Sequence, residues 1–154
     1  MRRVLAAVPA ALMMLIAAVA PVQAAGQDSV NGGGRGTVDG VTAFSQFGLQ
    51  ASLRADGSVT GSFNCLMAGA SEVPGFDLMA VRGRVTSASF AGGTVTLTGA
   101  GMLQTGNQGK FPATFRVVVQ GGGPGEGTLQ LTLVSPFELV LPTEHVLNGS
   151  IDVD

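Results

Sequence analysis

The residues of this chain that could do chemistry are few, and most of them stand far apart in the sequence. His145 is the only histidine, so a serine-hydrolase triad would have to combine it with Ser135 or Ser150 and with Asp152. The motif Gly-x-Ser-x-Gly, which exposes a nucleophilic serine on a sharp turn, does not occur. We therefore expect no catalytic residue, and we expect His145 to lie in a solvated loop.

Paired carboxylates are a second possibility, because two of them facing one another can act as acid and base on a glycosidic bond. Glu72 and Asp77 flank one predicted loop, and Glu138 and Glu144 flank another. We expect all four to be solvated loop charges. One histidine and one distant cysteine cannot supply the three or four ligands of a zinc site, so we expect neither a metal nor a cofactor.

The single cysteine, Cys65, excludes a disulfide within the chain. It lies in a stretch where Val59, Phe63, Cys65 and Met67 share one face at a spacing of two residues. We expect a buried thiol that packs as a small hydrophobic group. Pairing with a second chain, or chemical reaction of the thiol, stays open as the alternative.

The elements that carry these residues are predicted to be β-strands, because apolar and polar residues alternate along most of the chain. Over residues 43–54 the odd positions are mostly apolar, and Asp56-Gly57 then gives a strong hairpin signal. The alternation returns over residues 58–67, 78–90, 94–103, 111–120, 129–133 and 146–153, with an ambiguous stretch at 137–141. We predict an all-β domain, an antiparallel meander of seven to nine strands that forms a small barrel or a sandwich.

The interior of such a barrel is either filled by side chains or hollow enough for one small ligand. The predicted inward faces mix Phe with Gly and Ala, so we expect a filled interior. If the interior is hollow, a small apolar ligand would be bound by Phe47, Phe63, Phe115 and Leu131. The analogues would then be a lipocalin-like carrier or an isomerase-like barrel, on the level of the fold alone.

The N-terminus has the pattern of a secretory signal peptide. Two arginines precede an apolar run, and small residues follow it at a predicted cleavage site after Ala24. We predict a signal peptide over residues 1–24, a flexible mature N-terminus over 25–31 and a single all-β domain over 32–154. The protein would be exported, secreted or periplasmic, and it would meet the membrane only through its signal peptide.

The charge balance argues against a nucleic-acid partner. The chain has 8 Lys and Arg residues against 10 Asp and Glu. Since Arg2 and Arg3 leave with the signal peptide, the remaining chain has a net charge of −4. A mildly acidic domain with scattered arginines lacks the basic patch that nucleic-acid binding requires. The chain also lacks Trp and Tyr, the usual stacking platforms of sugar sites.

Five glycine-rich stretches together carry a family resemblance. They are GGGRG at 32–36, the strand with Phe44 and Phe47 that leads into DGSVTGSF at 56–63, VRGRVTS at 81–87, GTVTLTGAG at 93–101, and FRVVV at 115–119 with the loop up to Leu129. In this order they resemble the post-COAP-1-type domain, a small β domain of exported bacterial proteins. The resemblance covers residues 32–151 and implies a fold and export, but no activity. Members carry acidic residues in the loop matching 120–127, where only Glu126 remains here, so no cation site is implied.

These observations together predict a non-enzymatic exported β domain that acts as a structural or protein-interaction module. Phe44, Val118 and Phe137 are expected to point outward, and they would form a surface for a partner if they came together. The alternative is a small β-barrel that binds a small apolar ligand. The volume of the interior separates these two functions, since a carrier needs a cavity of about 300 Å³ or more.

Overall fold

The structure, a computed structural model, describes residues 27–68, 78–106 and 109–154. The predicted signal peptide, residues 1–24, lies outside these residues, and so do Glu72 and Asp77. All the elements named within the described residues are β-strands, which confirms the predicted all-β class. In the same part of the chain, no helix has the length and the apolar character needed to cross a membrane.

The strands follow one another as an antiparallel meander. They are β1 (Asp28–Thr37), β2 (Ser45–Leu53), β3 (Val59–Ala68), β4 (Leu78–Ala91), β5 (Thr94–Thr105), β6 (Gly109–Gln120), β7 (Thr128–Ser135), β8 (Leu139–Val140) and β9 (Glu144–Val153). From β1 to β7, each strand pairs with the next one along the chain. The meander predicted from the alternation is therefore confirmed.

The last strand closes this sheet into a ring. β9 pairs along its length with β1, and its first residues pair with β7 at Thr128↔His145 and Leu129↔Glu144. The two-residue strand β8 pairs with β7 further along, at Thr132 and Leu133. The ring gives the sheet an inside and an outside, so every strand sends alternate side chains to the core and to solvent.

The ring has two ends with different contents. At one end, which we call the Glu144 end, β1 finishes at Thr37 and β9 begins at Glu144. At the opposite end, the hairpin end, tight turns at Asp56-Gly57 and Gly92-Gly93 join consecutive strands, and these glycines have positive φ angles. Glycine is favoured there because side chains disfavour that backbone conformation.

The inside of the ring is a single hydrophobic core. The predicted inward residues Leu49, Phe63, Val95 and Leu131 are all buried within it. Fully burying one such side chain contributes about 1.5–3 kcal/mol of transfer free energy. The alternation in the sequence therefore identified the correct face of these strands.

β1 is the strand that the alternation did not predict. Its residues 28–31 belong to the segment 25–31 that the sequence predicted to be a flexible N-terminus, yet they pair with β2, and Val30 and Asn31 also pair with β9. Val30 is buried. The sequence did not predict this strand because its inward positions beyond Val30 are glycines, which add no apolar residue to the alternation.

Glycines face the largest aromatic side chains of the core. The Phe63 and Phe115 rings lie with their centroids 5.3 Å apart. A Cβ atom added at Gly83 or Gly99 would overlap the Phe115 ring and the backbone of the neighbouring strand. Phe115 therefore fits inside the ring because β4 and β5 present bare backbone at these two positions.

We expect Gly99→Ala to destabilise the protein by about 1–3 kcal/mol, the usual loss on overpacking a core. The matched control is Gly123→Ala, since a Cβ at Gly123 meets nothing within 4 Å and its φ is not positive. That control should stay within about 0.5 kcal/mol of the parent. Urea denaturation measures both variants, and equal midpoints for them would contradict the close packing of Phe115 on Gly99.

Candidate functional site

The four residues predicted to line an apolar ligand site do meet inside the ring. Phe47, Phe63, Phe115 and Leu131 are all buried and belong to one core cluster. Phe63 and Phe115 contact one another, and Phe115 lies against the glycines of β4 and β5. The part of the interior around Phe115 is therefore occupied by side chains of the protein.

The possible serine-hydrolase triad does not assemble. His145 is exposed at the beginning of β9, and Ser150 lies five residues further along the same strand, about 17 Å away. The Ser150 hydroxyl is 3.2 Å from Asp152 Oδ2 on the outside of the ring. The Ser135 hydroxyl is instead 3.0 Å from Thr114 Oγ1. His145 lies in a strand, so its predicted place in a loop is wrong, although its predicted exposure is correct.

The apolar patch that Phe44, Val118 and Phe137 would form together is not assembled on the outside. Phe44 is half-buried and packs against the core. Val118 pairs with Gln130 on β7, whereas Phe137 follows Ser135, which lies about 17 Å from Gln130 along that strand. Exposed apolar side chains near Phe137 are those of Val134 and Val140.

Glu144 is the main functional group that sequence reasoning placed wrongly. It was predicted to be a solvated loop charge, as Glu138 is, but only 1% of its surface is exposed. Its side chain points into the ring at the Glu144 end. A bulge explains the error, because the β1–β9 register shifts between Arg35 and Gly36, so that Val146 rather than Leu147 is buried. The alternation predicted for β9 therefore assigns the residues before this bulge to the wrong face of the sheet.

The Glu144 carboxyl accepts a hydrogen bond from Ser45 and occupies the space beside Gly36. The Ser45 hydroxyl donates a short hydrogen bond to Glu144 Oε2. A Cβ at Gly36 would overlap the same carboxyl oxygen, so the glycine provides the space that the carboxyl occupies. Glu144 Oε1 is buried and has no hydrogen-bond partner among the described residues. A carboxylate with one unsatisfied buried oxygen is costly, and protonation relieves that cost.

The electrostatics of this cluster favour neutral groups. Burial raises the pKa of Glu144 to about 7, against the opposing effect of the Ser45 hydrogen bond. Burial, and secondly the charge of Glu144, raise the pKa of the Cys65 thiol to about 12. Cys65 is buried as predicted, and it is a protonated, poorly nucleophilic thiol.

Two shallow depressions lie on the outside of the ring across β1 to β4. One has a volume of about 400 Å³, and its lining includes Arg35, Gln46, Asn64, Leu66, Arg82 and Asn148. The other has a volume of about 520 Å³, and its lining includes Asn31, Gln50, Ser52, Thr60, Ser62 and Arg84. Guanidinium, carboxamide and hydroxyl groups dominate both linings, so this face suits a polar or anionic ligand.

Comparison with known proteins adds no relative. No family model matches the chain, and no curated protein or solved structure is similar to it. The resemblance to the post-COAP-1-type domain therefore stays a prediction. Function has to be inferred from the side chains and surfaces of this chain.

We expect stability to fall as pH rises from about 4.5 to above 7, because the folded state keeps the Glu144 proton that the unfolded state loses near 4.5. The total loss is about 3 kcal/mol at most. Asp39 acts in a different window: backbone hydrogen bonds from Thr42 and Val41 lower its pKa, so its contribution is lost only below about pH 4. Urea denaturation from pH 5 to 8 measures the slope.

The control for this pH dependence is Glu144→Gln. The glutamine carbonyl can still accept the Ser45 hydrogen bond, but the side chain no longer titrates. The variant should show a flat stability profile over the same pH range. A slope that persists unchanged in Glu144→Gln would assign the titration to another group.

We expect the native Cys65 thiol to resist modification by a disulfide reagent at pH 8. Burial and its raised pKa leave almost no accessible thiolate, so labelling should be more than about a hundredfold slower than in denaturant. Absorbance at the released chromophore measures the rate, and the signal is unambiguous because Cys65 is the only cysteine. Rapid native labelling would contradict the burial of this thiol.

Proposed function

We propose that this protein is an exported, non-enzymatic binding module, a small closed β-barrel that meets its partner with the outside of the sheet. Export rests on the signal-peptide pattern of residues 1–24 and on the resemblance to domains of exported bacterial proteins. The membrane is met only through that signal. The net charge of −4 after signal removal disfavours nucleic acid as the partner.

The observation that supports this proposal is the close packing around Phe115 inside the ring. Phe63 and Phe115 contact one another at 5.3 Å between ring centroids, and Phe115 lies directly against Gly83 and Gly99. A carrier of apolar molecules needs a lined and largely preformed cavity at this place. Because side chains of the protein occupy the place instead, the outer surface is favoured for binding.

The enclosed position of the reactive groups supports a non-enzymatic role. Glu144 and Cys65 are each 1% exposed, and Ser45 is 3% exposed. A general acid or a nucleophile has to come within hydrogen-bond reach of its substrate. The three groups lie inside the ring, so a substrate could reach them only if the Glu144 end opened.

We expect the parent protein to show no saturable binding of a neutral apolar probe such as benzene, whereas Phe115→Ala should bind it. The substitution removes a fully buried ring and should cost about 3–5 kcal/mol, leaving a dry apolar cavity. Calorimetry and ligand-detected NMR measure the binding. If the parent binds the probe inside the ring, or purifies with an apolar molecule there, the protein is a carrier and the proposed function fails.

A further inference from the structure

An uncompensated group of arginines lies on the outside of β1 to β4. We call it the arginine face and define it by Arg35, Asn64, Arg82 and Arg84. The three arginines are exposed, and among the residues that the structure describes none of them forms a salt bridge with a carboxylate. Their charge is therefore available to a ligand.

Strand order keeps acidic residues off most strands of this face. Strands β2 to β6 contain no Asp or Glu; Arg82 and Arg84 lie on β4 within the face, whereas Lys110 and Arg116 lie on β6 outside it. The acidic residues of the described chain lie on β1 and β9, in the loops and at the C-terminus; they are Asp28, Asp39, Asp56, Glu126, Glu138, Glu144, Asp152 and Asp154. Among the described residues, no Asp or Glu lies on β2, β3 or β4, the strands that carry most of this face.

In the smaller depression, two guanidinium groups stand on opposite sides and carboxamide groups lie between them. Arg35 on β1 and Arg82 on β4 stand on opposite sides, about 15 Å apart at Cα from the strand spacing and register. Gln46 and Asn64 lie between them on β2 and β3. A ligand seated there can offer hydroxyl groups to the carboxamides and an anionic group to either guanidinium.

The larger depression continues this surface toward the hairpin end. Arg84 follows Arg82 on the same outer face, and the neighbours of Arg84 in register are Ser62, Gln50 and Asn31. From the Arg35 row to the Ser29 row the surface extends over six residues of β1, which is about 20 Å. This length exceeds that of a single small anion and suits a polymer with repeated anionic units.

We infer that the arginine face binds an anionic polysaccharide of the polyuronate kind, whose carboxylates pair with Arg35, Arg82 and Arg84. The inference deepens the proposed binding function and rests on it. A protein partner fits less well, because protein interfaces need exposed apolar or aromatic anchors, and the two apolar residues that line the smaller depression are the buried Phe47 and the half-buried Leu66. The chain has no Trp or Tyr for stacking, so the carboxylates have to supply the affinity.

The test is to titrate the full mature chain with oligogalacturonate at low salt and to measure the binding by calorimetry. The site variant is Arg35→Gln/Arg82→Gln. The control variant Arg54→Gln/Arg116→Gln removes two exposed arginines that line neither depression, so it has the same net charge. We expect the site variant to bind at least tenfold more weakly and the control variant within twofold of the parent.

Three further ligands separate the possible sources of the signal. Dextran, an uncharged polysaccharide, should not bind. Poly-glutamate and duplex DNA should bind at least tenfold more weakly than oligogalacturonate. Equal binding of poly-glutamate would assign the face to acidic protein segments, and equal binding of DNA or equal losses in both double variants would reduce it to general charge attraction. Each of these results, like no binding of oligogalacturonate, overturns the inference.

These outcomes leave the proposed function separately testable. The proposed binding module fails if the parent chain binds an apolar probe inside the ring, whatever the result with oligogalacturonate. The inference about the arginine face is tested only by the oligogalacturonate titrations. The packing around Phe115 is tested separately, by the binding of the apolar probe to the parent and to Phe115→Ala.

Discussion

The space inside the closed sheet is the constraint on which the rest of the structure depends. Protein interiors pack as densely as organic crystals, so a large inward side chain on one strand requires bare backbone on the strands facing it. Phe115 occupies the space that side chains at Gly83 and Gly99 would take, and a Cβ at Gly32 would lie only 2.9 Å from the Ser150 carbonyl oxygen and 3.1 Å from Ile151 Cγ1. The glycines inside this ring are therefore set by volume, whereas those of the turns are set by backbone conformation.

The same constraint explains how a carboxyl group comes to lie in the core. Gly36 leaves room for Glu144, and Ser45 donates the hydrogen bond that holds it. Burial disfavours the charged form, which raises the pKa of Glu144 to about 7. Glu144 also belongs to one of the two residue pairs that join β9 to β7. The pairing of β7 with β9, which closes the ring, thus includes a residue whose charge changes near neutral pH.

The sequence predicted the parts of the fold that follow from side-chain parity. Leu49, Phe63 and Val95 were assigned to the core because residues two apart on a strand share a face. Parity failed in β9, where a bulge places Val146 inside and shifts the count for every residue before it, Glu144 included. Parity also gave no prediction for β1, because the glycines at its inward positions have no apolar side chain. A bulge and a glycine strand are decided by the neighbouring strands, which local sequence does not describe.

The arginine face could not be predicted from the sequence for a related reason, because net charge does not say where on the sheet the charges lie. Composition counts charges, but strand order separates them. Asp152 and Arg84 lie in one row of the sheet, with Asn31, Gln50 and Ser62 between them, a path of about 19 Å. Physiological salt screens exposed charges beyond about 8 Å. A ligand at Arg84 therefore experiences the nearby guanidinium groups more strongly than the distant carboxylates, and an overall acidic domain can attract an anion at this face.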